Sequence, residues 1–94
     1  MIVYVLRSLK DGKLYIGMTE NLESRLKRHE QGKVPSTRHR RPLQLLHTET
    51  LENRLQARKR EKYLKSGPGH LELSKILYES RVPISSRKNP DKSG

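Results

Sequence analysis

With 94 residues, the chain has room for one domain and not for a second. Its 31% hydrophobic content, four tyrosines and lack of Trp and Phe call for a small, mostly aliphatic core. The absence of cysteine excludes disulfides, zinc fingers and thiol catalysis. A formal charge of +11 self-repels unless an acidic partner neutralises it. Nucleic acid is the commonest such partner, and a ribosome or an anionic membrane is also compatible.

The apolar start, Met1 to Leu6, is ended by Arg7. It is too short for a signal peptide or a membrane span, so the chain is expected to act in the cytoplasm, with no membrane partner. Residues 2–7 are β-branched and apolar and predict a strand. Asp11-Gly12 within Ser8 to Lys13 is a hairpin signal, and Leu14 to Gly17 is the returning strand. Thr19 to Glu30 has a helical pattern, with Thr19 or Asn21 as N-cap and Gly32 as the stop. Lys33 to Pro42 is a loop carrying the basic run Arg38-His39-Arg40-Arg41. Leu43 to Thr50 alternates as a third strand, with Leu43 and Leu45 on one face.

Asn53 to Lys65 predicts a second helix, since Asn53 and Gln56 have capping-box spacing. Ser66-Gly67-Pro68-Gly69 is expected to end it. Leu71 to Ser80 is a third, short helix with Leu73, Ile76 and Leu77 on one side. From Arg81 onward Pro, Ser, Lys and Arg dominate. This divides the chain into a folded unit, residues 1–80, and a basic tail, 81–94, expected to be disordered. The order β-β-α-β-α-α makes an α+β fold, an α/β sandwich with helices packed on a three-stranded sheet.

Some residues break these patterns. If the hairpin loop is even in length, Tyr4, Tyr15 and Gly17 share one face. A glycine inside a strand marks close approach of a ligand or another backbone. On the first helix, Leu22, Arg25, Leu26 and His29 fall within an arc of about 100°, so a guanidinium and an imidazole lie on the inward stripe. A guanidinium placed there needs an anion, either an internal carboxylate or a phosphate, which its planar fork suits. On the second helix Glu61 lies between Ala57 and Leu64 in an otherwise basic segment. It reads as a salt-bridge partner or as a ligand for Mg²⁺, which needs only one or two carboxylates.

Taken together, Tyr4, Tyr15-Ile16-Gly17-Met18-Thr19, Leu22, Arg25, Leu26, His29 and Arg60-Glu61-Lys62 resemble the GIY-YIG nuclease domain in order and spacing. The likeness covers about residues 2–77. It is strongest to small single-domain members, with a loop like Ser36-Thr37-Arg38-His39 and a helix end like Glu61-Lys62-Tyr63-Leu64-Lys65. Here Ile2-Val3-Tyr4 lacks the family's leading Gly. The resemblance implies a three-stranded antiparallel sheet flanked by helices. It also implies a metal-dependent endonuclease acting on DNA, structure-specific in repair or recombination. Tyr4, Tyr15, Arg25, His29 and Glu61 would be catalytic, with Glu61 holding Mg²⁺ or Mn²⁺. Either Tyr4 or Tyr15 would position or deprotonate the attacking water. Gly17, Arg38, Arg40, Arg41, Lys59 and Lys62 are expected to contact the DNA backbone, and a monomer is the default.

Two other classes fit the composition. A non-catalytic nucleic-acid-binding protein would keep this fold without cleaving. A ribosome-associated basic protein leaves Glu61 and Tyr15-Ile16-Gly17 unexplained. A membrane-surface role is disfavoured, because no helix pairs a basic face with a broad apolar one.

Overall fold

A computed structural model describes residues 1–81. Of the tail expected from Arg81 onward, Arg81 is the last residue of a helix and residues 82–94 lie outside the described residues. Strands β1 (Ile2–Ser8), β2 (Leu14–Thr19) and β3 (Leu43–Thr50) form one antiparallel sheet in the order β2-β1-β3. Helix α1 (Leu22–Glu30) follows β2, and helices α2 (Arg54–Lys65) and α3 (Gly67–Arg81) follow β3.

The hairpin is set by its turn. Ser8 Oγ accepts from the amides of Lys10 and Asp11, Asp11 Oδ1 accepts from Lys13 N–H, and Gly12 takes φ +76°. A positive φ is nearly free for glycine. Arg7 consequently pairs with Leu14, Tyr4 with Gly17 and Leu6 with Tyr15. Tyr4, Tyr15 and Gly17 therefore share a face, as the even spacing predicts. Against β3 the register slips between Val5 and Leu6, which pair with His47 and Leu45. The residue between them, Leu46, is a bulge.

The sheet's two faces differ. Val3, Val5 and Ile16 point to one side and pack with Ala57 and Leu64 of α2 and Leu73 of α3. Each large aliphatic group buried there contributes roughly 1.5–3 kcal/mol. The other face carries Tyr4, Leu6 and Tyr15 and meets α1 through His29. Asn21 caps α1, its side chain accepting from Ser24 N–H, and Gly32 ends the turn at φ +77°. Asn53 caps α2 in the same way through Gln56 N–H.

The Ser66-Gly67-Pro68-Gly69 segment needs a correction. It ends α2, as expected, but it also forms the first turn of α3, which begins at Gly67 and not at Leu71. Ser66 Oγ accepts from Gly69 N–H at 3.2 Å, an N-cap contact. A side chain at Gly69 would strike the Tyr63 carbonyl. Bare backbone at that position lets α3 start directly against the end of α2. The loop before β3 also has more structure than its composition suggests, with a 3-10 turn at Arg38–Arg40.

Candidate active site

β1 brings Tyr4 to the middle of the sheet, where it is 1% exposed. Its hydroxyl lies 2.8 Å from His29 Nε2. His29 Nδ1 lies 2.7 Å from Thr37 Oγ1, and that hydroxyl reaches the Val34 carbonyl at 3.5 Å. A carbonyl can only accept, so the network assigns the hydrogens in one direction. Thr37 donates to Val34, His29 Nδ1–H donates to Thr37, and bare Nε2 accepts from the Tyr4 hydroxyl. His29 and Thr37 are both buried, and the chain of bonds meets the desolvation cost of putting them there.

Tyr15 stacks on both partners. Its ring centroid is 6.2 Å from that of Tyr4 and 5.2 Å from that of His29. Unlike Tyr4 it is half-buried, so it is the tyrosine nearer solvent. Gly17 makes this cluster possible. A Cβ there would stand 2.7 Å from Tyr4 Oη and 3.0 Å from Tyr15 Cε2. The space expected to admit a DNA strand at Gly17 is thus filled by the two rings, and its bare backbone serves them.

Arg25 and Glu61 approach from opposite helices. Burial pushes the Tyr4 phenol well above its ordinary range, and Tyr15 adds to this. The Arg25 cation pulls it back down and the Glu61 carboxylate pushes it up again, so both charges act on the same phenol. Burial also lowers the His29 pKa, helped by Arg25 and Arg28. Both effects favour the neutral imidazole over the cation. Arg25 is half-buried and, among the described residues, forms no ion pair with a carboxylate. Among the described residues, the internal salt bridge that its inward position would allow is not made.

Glu61 lies in the stripe between Ala57 and Leu64, with 16% of its side chain exposed and Oε2 accepting from Lys65 Nζ at 3.2 Å. Among the described residues, its other oxygen carries no hydrogen bond, and no three His, Cys, Asp or Glu side chains cluster as a metal cage. This donor set fits a largely hydrated divalent cation, and does not fit an ion enclosed by protein alone.

A second network, absent from the sequence reading, holds α2 in place. Arg60 donates Nε to Glu49 Oε1 at 2.7 Å and Nη2 to Glu49 Oε2 at 3.0 Å and Glu72 Oε2 at 2.9 Å. Tyr63 donates to Glu72, and His47 lies 2.9 Å from Glu49. Arg60, above all, holds the Glu49 carboxyl below its ordinary range. The clamp ties α2 to β3 and α3 and so fixes the residue beside it, Glu61. Its signal in the sequence is Glu49, a charge in strand register with Val3.

The basic residues divide. Arg41 donates to the Arg38 and Glu30 carbonyls, closing the end of α1, and Arg40 lies 3.7 Å from Asp11. Arg41 thus serves the loop itself, whereas among the described residues the buried Arg40 Nε makes no hydrogen bond. Arg38, Lys59 and Lys62 are exposed.

A buried Tyr–His–Thr chain, a second tyrosine, an arginine with no carboxylate partner among the described residues and one helical carboxylate make a site suited to phosphate chemistry. The sequence matches the family model of the GIY-YIG catalytic domain over residues 1–69. The chain belongs to the GIY-YIG nuclease family. It is 45% identical over 64 residues to a UPF0213 protein of Clostridium perfringens, covering 67% of this chain and 68% of that one. A UPF0213 protein of Oceanobacillus iheyensis is 38% identical over 80 residues, covering 84% of this chain and 92% of the relative. One of Natronomonas pharaonis is 43% identical over 65 residues, covering 68% and 75%. No solved structure matches. Among the described residues no helix is long and apolar enough to cross a membrane.

Proposed function

We propose that the chain is a metal-dependent endonuclease that hydrolyses DNA phosphodiester bonds. The observation that carries this is Arg25, a half-buried cation with no carboxylate partner among the described residues, acting on Tyr4 and His29. A phosphate is the anion this position suits.

Glu61 would hold one Mg²⁺ or Mn²⁺ together with the phosphate, supplying positive charge against its oxygens. Arg25 would bind a non-bridging oxygen and stabilise the charge that grows there. Water attacks phosphorus in line, its oxygen forming the new bond as the bond to the leaving strand breaks. The proton leaves toward the tyrosine pair. Tyr4 donates its own proton to neutral His29 as it receives one, so no free phenolate is needed in the resting protein, where burial disfavours it. Tyr15, closer to solvent, would orient the water. Thr37 fixes the His29 tautomer that makes the transfer possible. Arg38, Lys59 and Lys62 would hold the backbone of the strand, giving affinity that falls with salt and little sequence preference.

The test is cleavage of supercoiled plasmid, branched and single-stranded DNA in Mg²⁺, Mn²⁺ or EDTA. Wild-type cleavage that needs metal and disappears in Glu61→Ala and Arg25→Ala, with DNA binding kept, is the expected result. Binding without cleavage by the wild-type protein would reduce the fold to a nucleic-acid-binding module.

A further inference from the structure

The face that carries Tyr4 does not end at the catalytic cluster. Beyond His29 it opens into a cleft of about 710 Å³ between the C-terminal half of α1, the basic loop and the edge of β3. Strand register builds its floor: Leu6 pairs with Leu45, and Ser8 with Leu43, on the Tyr4 face. Leu26, one turn before His29, closes it from above. Leu45 is 41% exposed, so apolar floor is left open to water. A site of this size falls in the range of small-ligand pockets, roughly 300–1,000 Å³.

The rim is of a different kind. Lys10, Arg38 and His39 line it, with Glu30 as the one carboxylate. The wall is preformed, since three bonds tie the hairpin turn to the basic loop. Ser8 Oγ donates to the Arg40 carbonyl at 2.7 Å, Leu9 N–H to the Pro42 carbonyl at 2.8 Å, and Lys10 Nζ to the His39 carbonyl at 3.3 Å. An apolar floor under a cationic rim suits a ligand with a flat, weakly polar ring and a phosphate. In a stacked duplex the phosphates are exposed but the base faces are covered, so the ring is not available.

We propose that this cleft takes one unpaired nucleotide of a DNA strand, its base against Leu26, Leu43 and Leu45 and its phosphate against Lys10 and Arg38. His29 lines the cleft and also bonds Tyr4. The held nucleotide therefore lies next to the phosphate to be cut, which makes single-stranded or frayed DNA the preferred substrate. This placement rests on the assignment of the neighbouring cluster as a nuclease centre.

The experiment is fluorescence anisotropy in EDTA with three labelled DNAs: a short single strand, a fully abasic strand of the same length, and a blunt duplex. The single and abasic strands carry the same phosphates, so their difference reads the base alone. Wild-type protein should bind the single strand about tenfold more tightly than the abasic one, the gain expected from roughly 60 Å² of apolar surface buried. Leu45→Gln, at an exposed position, should erase most of that difference and leave abasic binding unchanged. Equal binding of the two strands by wild type would overturn the proposal. So would a full difference retained in a natively folded Leu45→Gln protein. Because no metal is present, the result does not depend on cleavage. Base-dependent binding by a protein that never cuts would keep the cleft and remove the nuclease centre, whereas cutting without base dependence would do the reverse.

Discussion

Adding one methyl group at Gly17 tests whether the tyrosine cluster is built on the absence of a side chain. Its Cβ would lie 2.7 Å from Tyr4 Oη, 2.8 Å from Tyr4 Cζ and 3.0 Å from Tyr15 Cε2. Carbon contacts are comfortable from about 3.5 Å, so the Tyr4 ring must retreat by roughly 0.7 Å. It has little freedom to do so, being 1% exposed and bonded to His29 at 2.8 Å. Overpacking costs about 1–3 kcal/mol, and a strained or lost buried hydrogen bond about 1–3 kcal/mol more. Reduced freedom of the unfolded chain returns about 0.4–1 kcal/mol. The net loss is about 1–5 kcal/mol, centred near 3, which in a domain of this size lowers Tm by roughly 10–25 °C. Thermal melts followed by circular dichroism measure it. Gly12→Ala is the control, since that site has φ +76° but nothing within 4 Å of a new Cβ. It should lose only the backbone cost of about 1–2 kcal/mol. A Gly17→Ala protein melting at the wild-type temperature would refute the claim that the two rings occupy the glycine's side-chain space.

Other consequences are open to direct measurement. Arg25→Ala should move the His29 pKa upward in an NMR titration, because Arg25 is one of the cations that depress it; an unchanged value would place Arg25 away from the cluster. Stability should begin to fall as pH drops below the ordinary histidine value of about 6.5. His29 has its folded pKa depressed, so the unfolded chain takes up the proton first, and the loss runs down through the folded pKa. His29→Gln should flatten that arm and leave the later, carboxylate-driven loss through Glu49. Arg60→Met should leave Glu49 half-buried without its bidentate partner, costing about 2 kcal/mol in a denaturant titration. Gly69→Ala should cost about 3 kcal/mol or more, since the methyl meets the backbone of α2, which cannot yield as a side chain can.

The sequence carried the fold wherever a short-range cause sets it. Asp11-Gly12 fixed the hairpin, its even spacing put Tyr4 beside Gly17 and Tyr15, and Asn21 and Asn53 marked two helix starts. Ser66 to Gly69 misled about the start of α3 because Gly and Pro normally stop helices. In this chain Ser66 caps the helix, and Gly69 is bare because a neighbouring helix passes close, which is a long-range fact. Arg25, His29 and Glu61 could be picked out because each placed charge or polarity on an inward stripe. Thr37 came to notice only within the loop Ser36-Thr37-Arg38-His39, and its role could not be read, since it depends on His29 eight positions earlier. Nor could the loop cations be sorted by composition: Arg40 and Arg41 look like Arg38 until Asp11 is seen 3.7 Å from Arg40 and the carbonyls of Glu30 and Arg38 are seen to accept from Arg41.

The position of the candidate site follows from how little apolar material the chain has. Only one sheet face can be sealed with aliphatic side chains, and α2 and α3 seal it over Val3, Val5 and Ile16. The opposite face is covered by a nine-residue helix and a loop, and the buried polar groups Ser8, His29 and Thr37 lie there. Polar burial is tolerated only when the hydrogen bonds are met, and here they are met by one another and by loop carbonyls. Such bonds fix geometry more narrowly than aliphatic packing does. They hold His29 in a single tautomer against Tyr4. The face that is weaker as a core is thus the one with reactive groups in defined positions, next to a cleft that water can enter.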